Sequence, residues 1–575
     1  MNEVKHYGPK LAASQQLQKE KHRGPNESFY ESKCRVAGVL CDDEGHRQAI
    51  KEILLDQRFL EAGRIQATVG LEKDTTPYNC FVSGTIEDSL DDIMDKAKES
   101  AITQQKGGGI GYDFSTIRPS GDRIVSLGST ASGPLSFMEI FDAVCGTIVS
   151  AGHRRGAQMG VLRVDHPDIE LFIRAKQNEG SLKNFNLSVG VTDEFMTAVL
   201  DDTDFNLVFE DRVYKTLRAK ELWDEIMRST WDWAEPGVLF IDTLNKMNNL
   251  WYCEDIAATN PCAEQPLPPN GACLLGSFNL TKYVVGGYCE AEGVYYNFNF
   301  EQFKHDIPHI VRMIDNVIDY ATYPLPEQEH EAKSKRRMGL GVTGLANAGE
   351  AVAGAYGTRE FIDFTEQVLT ILRDTAYRTS VSLAVEKGSF PMYHGDYCNS
   401  EFIGDLPKDI QEDIQKHGIR NSHLLSIAPC GTISFCADNI SSGIEPVFSH
   451  TVDRIVQTPE GPTTVRVSDY GSRVFGVEGA TADGLSVAAH LGVLTTTQGY
   501  IDSAVSKTVN VGDGVTFNEF KDIYMTAWQG GAKGCTTFRA SGKRFGIMHK
   551  VVDEPVDKEG AACYYDPDTG KKECE

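Results

Sequence analysis

The chain has 575 residues, with 82 acidic against 56 basic side chains and a formal net charge of −26, and its pI is near 5.0. It is long for a single core, so a large domain with appendages is expected. The acidity excludes a nucleic-acid polymer as partner and leaves small phosphorylated ligands to local basic loops. No apolar run reaches the roughly 18 residues of a membrane helix, and the start, Met1-Asn2-Glu3-Val4-Lys5-His6, lacks a signal-peptide core, so a cytoplasmic protein without a membrane partner is expected. Fourteen cysteines are spread without a CxxC pair or a four-ligand pattern, which predicts reduced thiols, some of them redox-active, and no metal site.

Residues 1–70 read as a small helical cap. Within Glu44 to Leu60 the apolar Ile50, Ile53, Leu54 and Leu55 recur at helical spacing, and Val36 to Leu40 reads as a short apolar strand. Cys80 follows in Pro77-Tyr78-Asn79-Cys80-Phe81-Val82, where taken alone it could be a plain core residue. Glu87-Asp88-Ser89-Leu90-Asp91-Asp92-Ile93 opens a helix running to about Gln104, with acids in its first turn to complement the dipole. Lys106-Gly107-Gly108-Gly109-Ile110-Gly111 matches a dinucleotide fingerprint only in its letters. That motif needs a strand before and a helix after, and here the order is reversed. The glycines are expected to end the helix and let backbone approach a ligand. Arg118 and Arg123 then lie on a loop able to reach phosphates.

Small residues dominate Ala131-Ser132-Gly133-Pro134 and the loop Gly152-His153-Arg154-Arg155-Gly156-Ala157-Gln158-Met159-Gly160. The loop is either a solvated turn or a mobile cationic relay between two ligands. Asn184-Phe185-Asn186-Leu187-Ser188-Val189 begins a strand expected over Asn186 to Val191, and Leu217 to Trp231 is expected to be helical.

Asn260-Pro261-Cys262-Ala263-Glu264-Gln265-Pro266-Leu267 sets an amide, a thiol and a carboxylate at alternate positions. The prolines disfavour a helix and favour an extended segment or loop, and in an extended chain the three side chains would share one face over roughly 13 Å. No histidine in the segment would activate the sulfur as an ordinary nucleophile. The alternatives are a buried cysteine in a Pro-rich loop, or a thiol that carries an unpaired electron. Gly271-Ala272-Cys273 follows, leading into Ser277-Phe278-Asn279-Leu280. Further on come Arg336-Arg337-Met338-Gly339-Leu340-Gly341-Val342-Thr343-Gly344 and a helix over Phe361 to Glu386. An apolar strand, Leu424 to Ala428, runs into Pro429-Cys430-Gly431-Thr432-Ile433-Ser434. Such a turn offers backbone N–H groups to a phosphate, and no P-loop lysine follows it. Strands alternating with helices predict an α/β fold with much parallel sheet.

The central stretch resembles the active-site strand and loop of ribonucleotide reductases: asparagine, cysteine and glutamate at alternate positions, then a cysteine before Phe278-Asn279-Leu280. The likeness covers about residues 30–540. It implies a ten-stranded α/β barrel, with Cys262 on a loop inside it and residues 71–540 forming the catalytic domain. It also implies reduction of ribonucleotides to 2′-deoxyribonucleotides, as DNA precursors, by thiyl-radical chemistry. Cys262 would be the radical thiol, Glu264 the proton acceptor and Asn260 a ribose-binding amide, with Cys80 and Cys273 as the reducing dithiol. Asn79, Gly109, Pro429, Cys430, Gly431, Thr432 and Ile433 would line the substrate. Asp88, Ser89, Arg118, Arg123, Arg154, Arg155 and Gln158 would serve a dNTP or ATP specificity effector. Similar reductases usually have threonine where this chain has Cys430, which removes one hydroxyl from the phosphate turn.

Class follows from what the sequence lacks. Lys533-Gly534-Cys535-Thr536-Thr537-Phe538-Arg539 holds no tyrosine pair of the kind that receives a radical from a second subunit. The chain has Glu264 and no C-terminal zinc cluster, unlike glycyl-radical enzymes. The adenosylcobalamin-dependent class remains. Fewer than 80 residues precede Cys80, too few for the cap and an ATP-cone, so overall on/off control is not expected. A catalytically silent nucleotide-binding protein on the same fold, or a thiyl-radical enzyme with another substrate, stays open, as does a homodimer. From residue 541 the chain turns charged and glycine-containing, which predicts a flexible tail. Cys563 and Cys574 on that tail could relay electrons from a thioredoxin- or glutaredoxin-like reductant, with Pro567 and Gly570 permitting the bend between them.

Overall fold

The computed structural model describes residues 7–124, 128–148, 156–177, 180–289, 293–458, 461–539 and 541–543, with short strands at 563–565 and 572–574. Three helices precede the first strand of the sheet, Ala12–His22, Phe29–Leu40 and Glu44–Leu55, and a fourth, Gly63–Thr68, follows it. Val36 to Leu40, expected as a strand, is therefore the end of a helix. Ser28 and Glu31 close a capping box at its start, and Val36, Ala37 and Leu40 are buried at helical spacing. That periodicity is hard to separate from an apolar strand over five residues.

Ten strands form one sheet: β1 (Phe59–Glu61), β2 (Cys80–Val82), β3 (Gly109–Asp113), β4 (Gln158–Arg163), β5 (Phe185–Val191), β6 (Gly237–Phe240), β7 (Ala272–Asn279), β8 (Met338–Thr343), β9 (Thr508–Val511) and β10 (Gly534–Arg539). Strands β2 to β6 lie parallel in that order. β7 runs antiparallel to β2 and carries β8 parallel beside it. β10 runs antiparallel to β6 and carries β9 parallel beside it. β1 adds to β7 from outside.

The gap between β8 and β9 is bridged by the extended segment 424–427. Leu340 N donates to Leu424 O at 2.8 Å and Ser426 N to Leu340 O at 3.0 Å, while Ile427 N donates to Ala504 O at 3.1 Å and Ser506 N to Ile427 O at 2.9 Å. Ser506 lies two residues before β9 begins. Backbone bonds thus carry the sheet round from β8 to β9, and two parallel halves meet antiparallel at β2/β7 and β6/β10. Helices cover the outside. In Phe300–Tyr320, Phe303, Ile307, Ile310, Val311, Ile314, Val317 and Ile318 form the buried stripe. Leu90–Gln105 starts after Ser89, later than the acidic run implies, because the Ser89 side chain caps it by accepting from Asp92 N.

Candidate active site

Residues 258–267 form a tight hairpin, with Ala258 paired to Leu267 and Thr259 to Pro266. Of the extended segment or loop expected over 260–264, the loop forms, so the three side chains do not share one face. Ala263 N donates back to Asn260 O at 3.0 Å and Asn260 N to Gln265 O at 3.1 Å, and Ala263 takes a left-handed φ of 64°. Pro261, with its φ preset, occupies the second position of this turn. Asn260 and Glu264 are buried, at 1% and 2% exposure, whereas Cys262 is exposed at the tip.

This hairpin threads the ring. On one side, Asn186 Nδ2 on β5 donates to Pro261 O at 2.8 Å, and a Cβ on Gly109 of β3 would sit 3.1 Å from Pro261 Cγ. On the other side, Ala504 N and Ser426 Oγ both donate to Glu264 O, at 3.1 and 3.0 Å. A Cβ on Gly111 would lie 1.8 Å from Thr259 O, a backbone atom with nowhere to go. Gly111→Ala is therefore expected to cost about 1–3 kcal/mol and to displace the hairpin, read as a lower urea midpoint together with lost activity.

The hairpin's turn gathers the chemistry. Gln265 N donates to Asn260 Oδ1 at 2.9 Å, which aims Asn260 Nδ2 at Cys80 Sγ, 3.1 Å away. The Cys80 thiol points to Glu264 Oε1 at 3.7 Å. Cys80 and Cys273 are direct partners across β2 and β7, and residues so opposed in an antiparallel pair have Cα atoms about 4.5–5.5 Å apart, inside the range a disulfide bridges. Burial, then the Glu264 carboxylate, then the Cys273 and Cys262 sulfurs push the Cys80 pKa well above the ordinary thiol range. Burial does the same for Cys273, opposed by the nearby Arg337 guanidinium. Both therefore stand as protonated thiols at neutral pH.

The phosphate turn follows the bridging segment. Gly431–Phe435 is a short helix whose first intrahelical bond is Ser434 N to Cys430 O at 2.8 Å, so the N–H groups of Gly431, Thr432 and Ile433 precede the helical ladder. Pro429, Gly431 and Thr432 are exposed. Cys430 turns inward, its sulfur 3.1 Å from Ser277 Oγ. Burial pushes its thiol up to about 11, with the Ser277 bond working against that rise. Asn79 stands before β2, and its carbonyl accepts from Gly109 N at 2.9 Å, while its side-chain Oδ1 is buried without a partner.

The expected effector residues separate. Asp88 and Arg118 meet, Arg118 Nε donating to Asp88 Oδ2 at 2.6 Å. Ser89 is occupied as a helix cap, and Arg123 is exposed on the short strand Arg123–Ile124. Gln158 is fully buried and donates from Nε2 to Phe141 O at 2.9 Å, so its amide is turned into the core. Arg154 and Arg155 lie outside the described residues. Gln265, Asn186, Ser426 and Gly111 also build the site, and the sequence alone assigns them no role in it. Asn186 stands in a quoted segment, but nothing in the letters showed that it would hold the hairpin.

A barrel of two antiparallel halves with a thiol-bearing hairpin inside it defines a class. The chain belongs to the ribonucleotide reductase family, whose barrel-domain model matches residues 78–469 and 480–538. It is 34% identical over 517 residues to the vitamin B12-dependent ribonucleoside-diphosphate reductase of Thermoplasma acidophilum, covering 84% of this chain and 64% of that protein. It is likewise 34% identical over 510 residues to the enzyme of the same name from Mycobacterium tuberculosis strain H37Rv, covering 83% of this chain and 68% of the relative. The ribonucleoside-diphosphate reductase large subunit of vaccinia virus is 27% identical over 426 residues, 66% of this chain and 54% of that protein. The chain thus spans less than two thirds of the length of the Thermoplasma relative.

Proposed function

We propose that this chain reduces ribonucleotides to 2′-deoxyribonucleotides with adenosylcobalamin as cofactor. The observation that carries the reading is the hairpin 258–267: one turn gathers Asn260, Glu264 and Cys80, with Cys273 opposite in register, and leaves Cys262 exposed at its tip. Names of the relatives make ribonucleoside diphosphates the first substrates to test. The site fits the cofactor, because the Cys262 thiol is exposed at the hairpin tip, where it could exchange a hydrogen atom with a carbon-centred radical. Adenosylcobalamin, when bound, supplies a carbon-centred radical by cobalt–carbon homolysis.

The remaining steps belong to the chain. Cys262, as a thiyl radical, takes the hydrogen from ribose C3′ and later returns it. Glu264 accepts the 3′-hydroxyl proton and later returns it, and Asn260 bonds a ribose hydroxyl. Cys80 and Cys273 give two electrons and two protons, becoming a disulfide as the 2′-hydroxyl leaves as water and a hydrogen takes its place on C2′. The test is to incubate the protein with adenosylcobalamin, a small dithiol and each ribonucleotide. Absence of deoxyribonucleotide in every case would overturn the reading. Cobalamin binding without nucleotide binding would instead favour a thiyl-radical enzyme with another substrate.

Asp88 and Arg118, with Ser89 and Arg123, are proposed to hold a deoxyribonucleoside triphosphate or ATP that selects the substrate base, with Arg154 and Arg155 relaying its identity, while Gln158, its amide bonded to Phe141 O in the core, drops out of the relay. Arg118→Ala is then expected to remove a coupling of about 5–150-fold in substrate affinity, read by comparing substrate binding with and without each effector. An unchanged response would place the site elsewhere. A homodimer would cover the apolar groove of about 580 Å³ between helices Leu90–Gln105 and Pro134–Thr147, lined by Ala101, Ile140, Ala143 and Val144. No described helix is long and apolar enough to cross a membrane, and we place the activity in the cytoplasm.

A further inference from the structure

The short helix Gly431–Phe435 has only five residues, too few to persist by its own hydrogen bonds. Three distant segments take up the carbonyls at its C-terminal end. Ser14 Oγ donates to Phe435 O at 2.6 Å, Gln57 Nε2 to Cys436 O at 3.3 Å and Arg473 Nη2 to Asp438 O at 2.7 Å. Asp438 and Asn439 then turn the chain with left-handed φ angles of 66° and 59°, a conformation Asp and Asn accept more readily than other side chains. The Asp438 carboxylate fixes that turn, because its Oδ1 accepts from Lys10 N at 2.6 Å and from Leu11 N at 2.8 Å. Ser14 is fully buried and Asp438 is 3% exposed, which shields the Ser14 contact from water.

Lys10, Leu11 and Ser14 lie before residue 78, where the family match begins. Resting on the reading that residues 429–433 seat the substrate's phosphates, we infer that Asp438 and Ser14 are positioning residues for that seat. Through them the N-terminal segment 10–14 acts as a strap that grips the far end of the short helix. The strap keeps the open N–H groups of Gly431, Thr432 and Ile433 aimed at the phosphates. It touches neither Cys262 nor the Cys80–Cys273 pair, so loosening it should weaken nucleotide binding and leave the chemical step alone.

The test measures ribonucleoside diphosphate binding to the full chain by calorimetry, alongside kcat and KM. Asp438→Ala removes the two strap bonds from Lys10 N and Leu11 N and disfavours the left-handed turn, so Kd and KM should rise about 10-fold with kcat within about twofold. Asp438→Asn keeps an acceptor oxygen and tolerates the turn, and should bind like the parent. Effector affinity should be unchanged in both, which general damage to the fold would not spare. Ser14→Ala, expected to weaken binding about threefold, serves if Asp438→Ala does not fold. Folded variants that bind as tightly as the parent, or that lose kcat at constant KM, would overturn the inference. The seat itself is checked by Gly431→Asp, whose side chain would enter open space and set a carboxylate beside the phosphates. If that variant binds normally, the seat is misplaced and the strap's role falls with it. If it fails to bind while Asp438→Ala binds normally, only the strap is refuted.

Discussion

Cys262→Ser is expected to abolish deoxyribonucleotide formation while leaving the protein folded. An alcohol O–H bond is far stronger than a thiol S–H bond, so serine cannot pass a hydrogen atom back and forth at ribose C3′. Cys262 is exposed at the hairpin tip, and neither hydrogen bond that shapes the turn uses its side chain, since both are backbone bonds of Asn260, Ala263 and Gln265. The stability change should stay within about 0.5 kcal/mol. Product formation by the variant above background would remove Cys262 from the chemistry. Glu264→Gln gives the contrast: the carboxylate beside the Cys80 thiol becomes a neutral amide, so the fold and nucleotide binding should survive while turnover falls. A Cys262→Ser variant that binds neither nucleotide nor cobalamin would show only that the hairpin had moved.

The residue types of this site were legible in the sequence, but its geometry was not. Alternation at Asn260, Cys262 and Glu264 implied a shared face, yet the chain folds into a turn that buries the amide and the carboxylate on Cys80 and exposes the thiol. Pro261 was read as a helix breaker, which is correct, but a turn-former at the second position is equally proline's habit. The left-handed Ala263 carries no sequence signal at all. Strands such as Phe185–Val191 were legible as short segments carrying Leu187, Val189 and Val191, and the long helix Arg359–Lys387 from its period. Val36 to Leu40 was misread because five apolar residues fit either period, and the deciding signal, the Ser28–Glu31 capping box, lies outside that window. Contacts such as Lys10 with Asp438 join residues more than 400 positions apart, and no local pattern announces them. Gly111 is a single letter among several glycines until the Thr259 carbonyl is found against it.

A disulfide at Cys80–Cys273 would be sealed inside the ring, since both residues are at most 4% exposed. A thioredoxin-like protein is too large to enter the ring, and we propose that the two thiols of the tail carry the electrons inward. The strands Cys563–Tyr565 and Lys572–Cys574 pair antiparallel with Cys563 directly opposite Cys574, a register whose Cα spacing of about 4.5–5.5 Å suits a disulfide. Pro567 and Gly570, expected to permit the bend, lie outside the described residues. A random chain of about 25 residues spans roughly 25–30 Å, the reach such a relay requires. Thiolate attack from the tail would break the Cys80–Cys273 bond and form Cys563–Cys574, which the external dithiol then reduces. The double variant Cys563→Ser, Cys574→Ser is therefore expected to yield about one deoxyribonucleotide per pre-reduced chain and then stop when thioredoxin is the only reductant. A small dithiol able to diffuse into the barrel should restore continuous turnover, because it bypasses the relay and finds Cys262, Glu264 and Asn260 intact. Normal thioredoxin-driven turnover by the double variant would leave the tail's two thiols incidental.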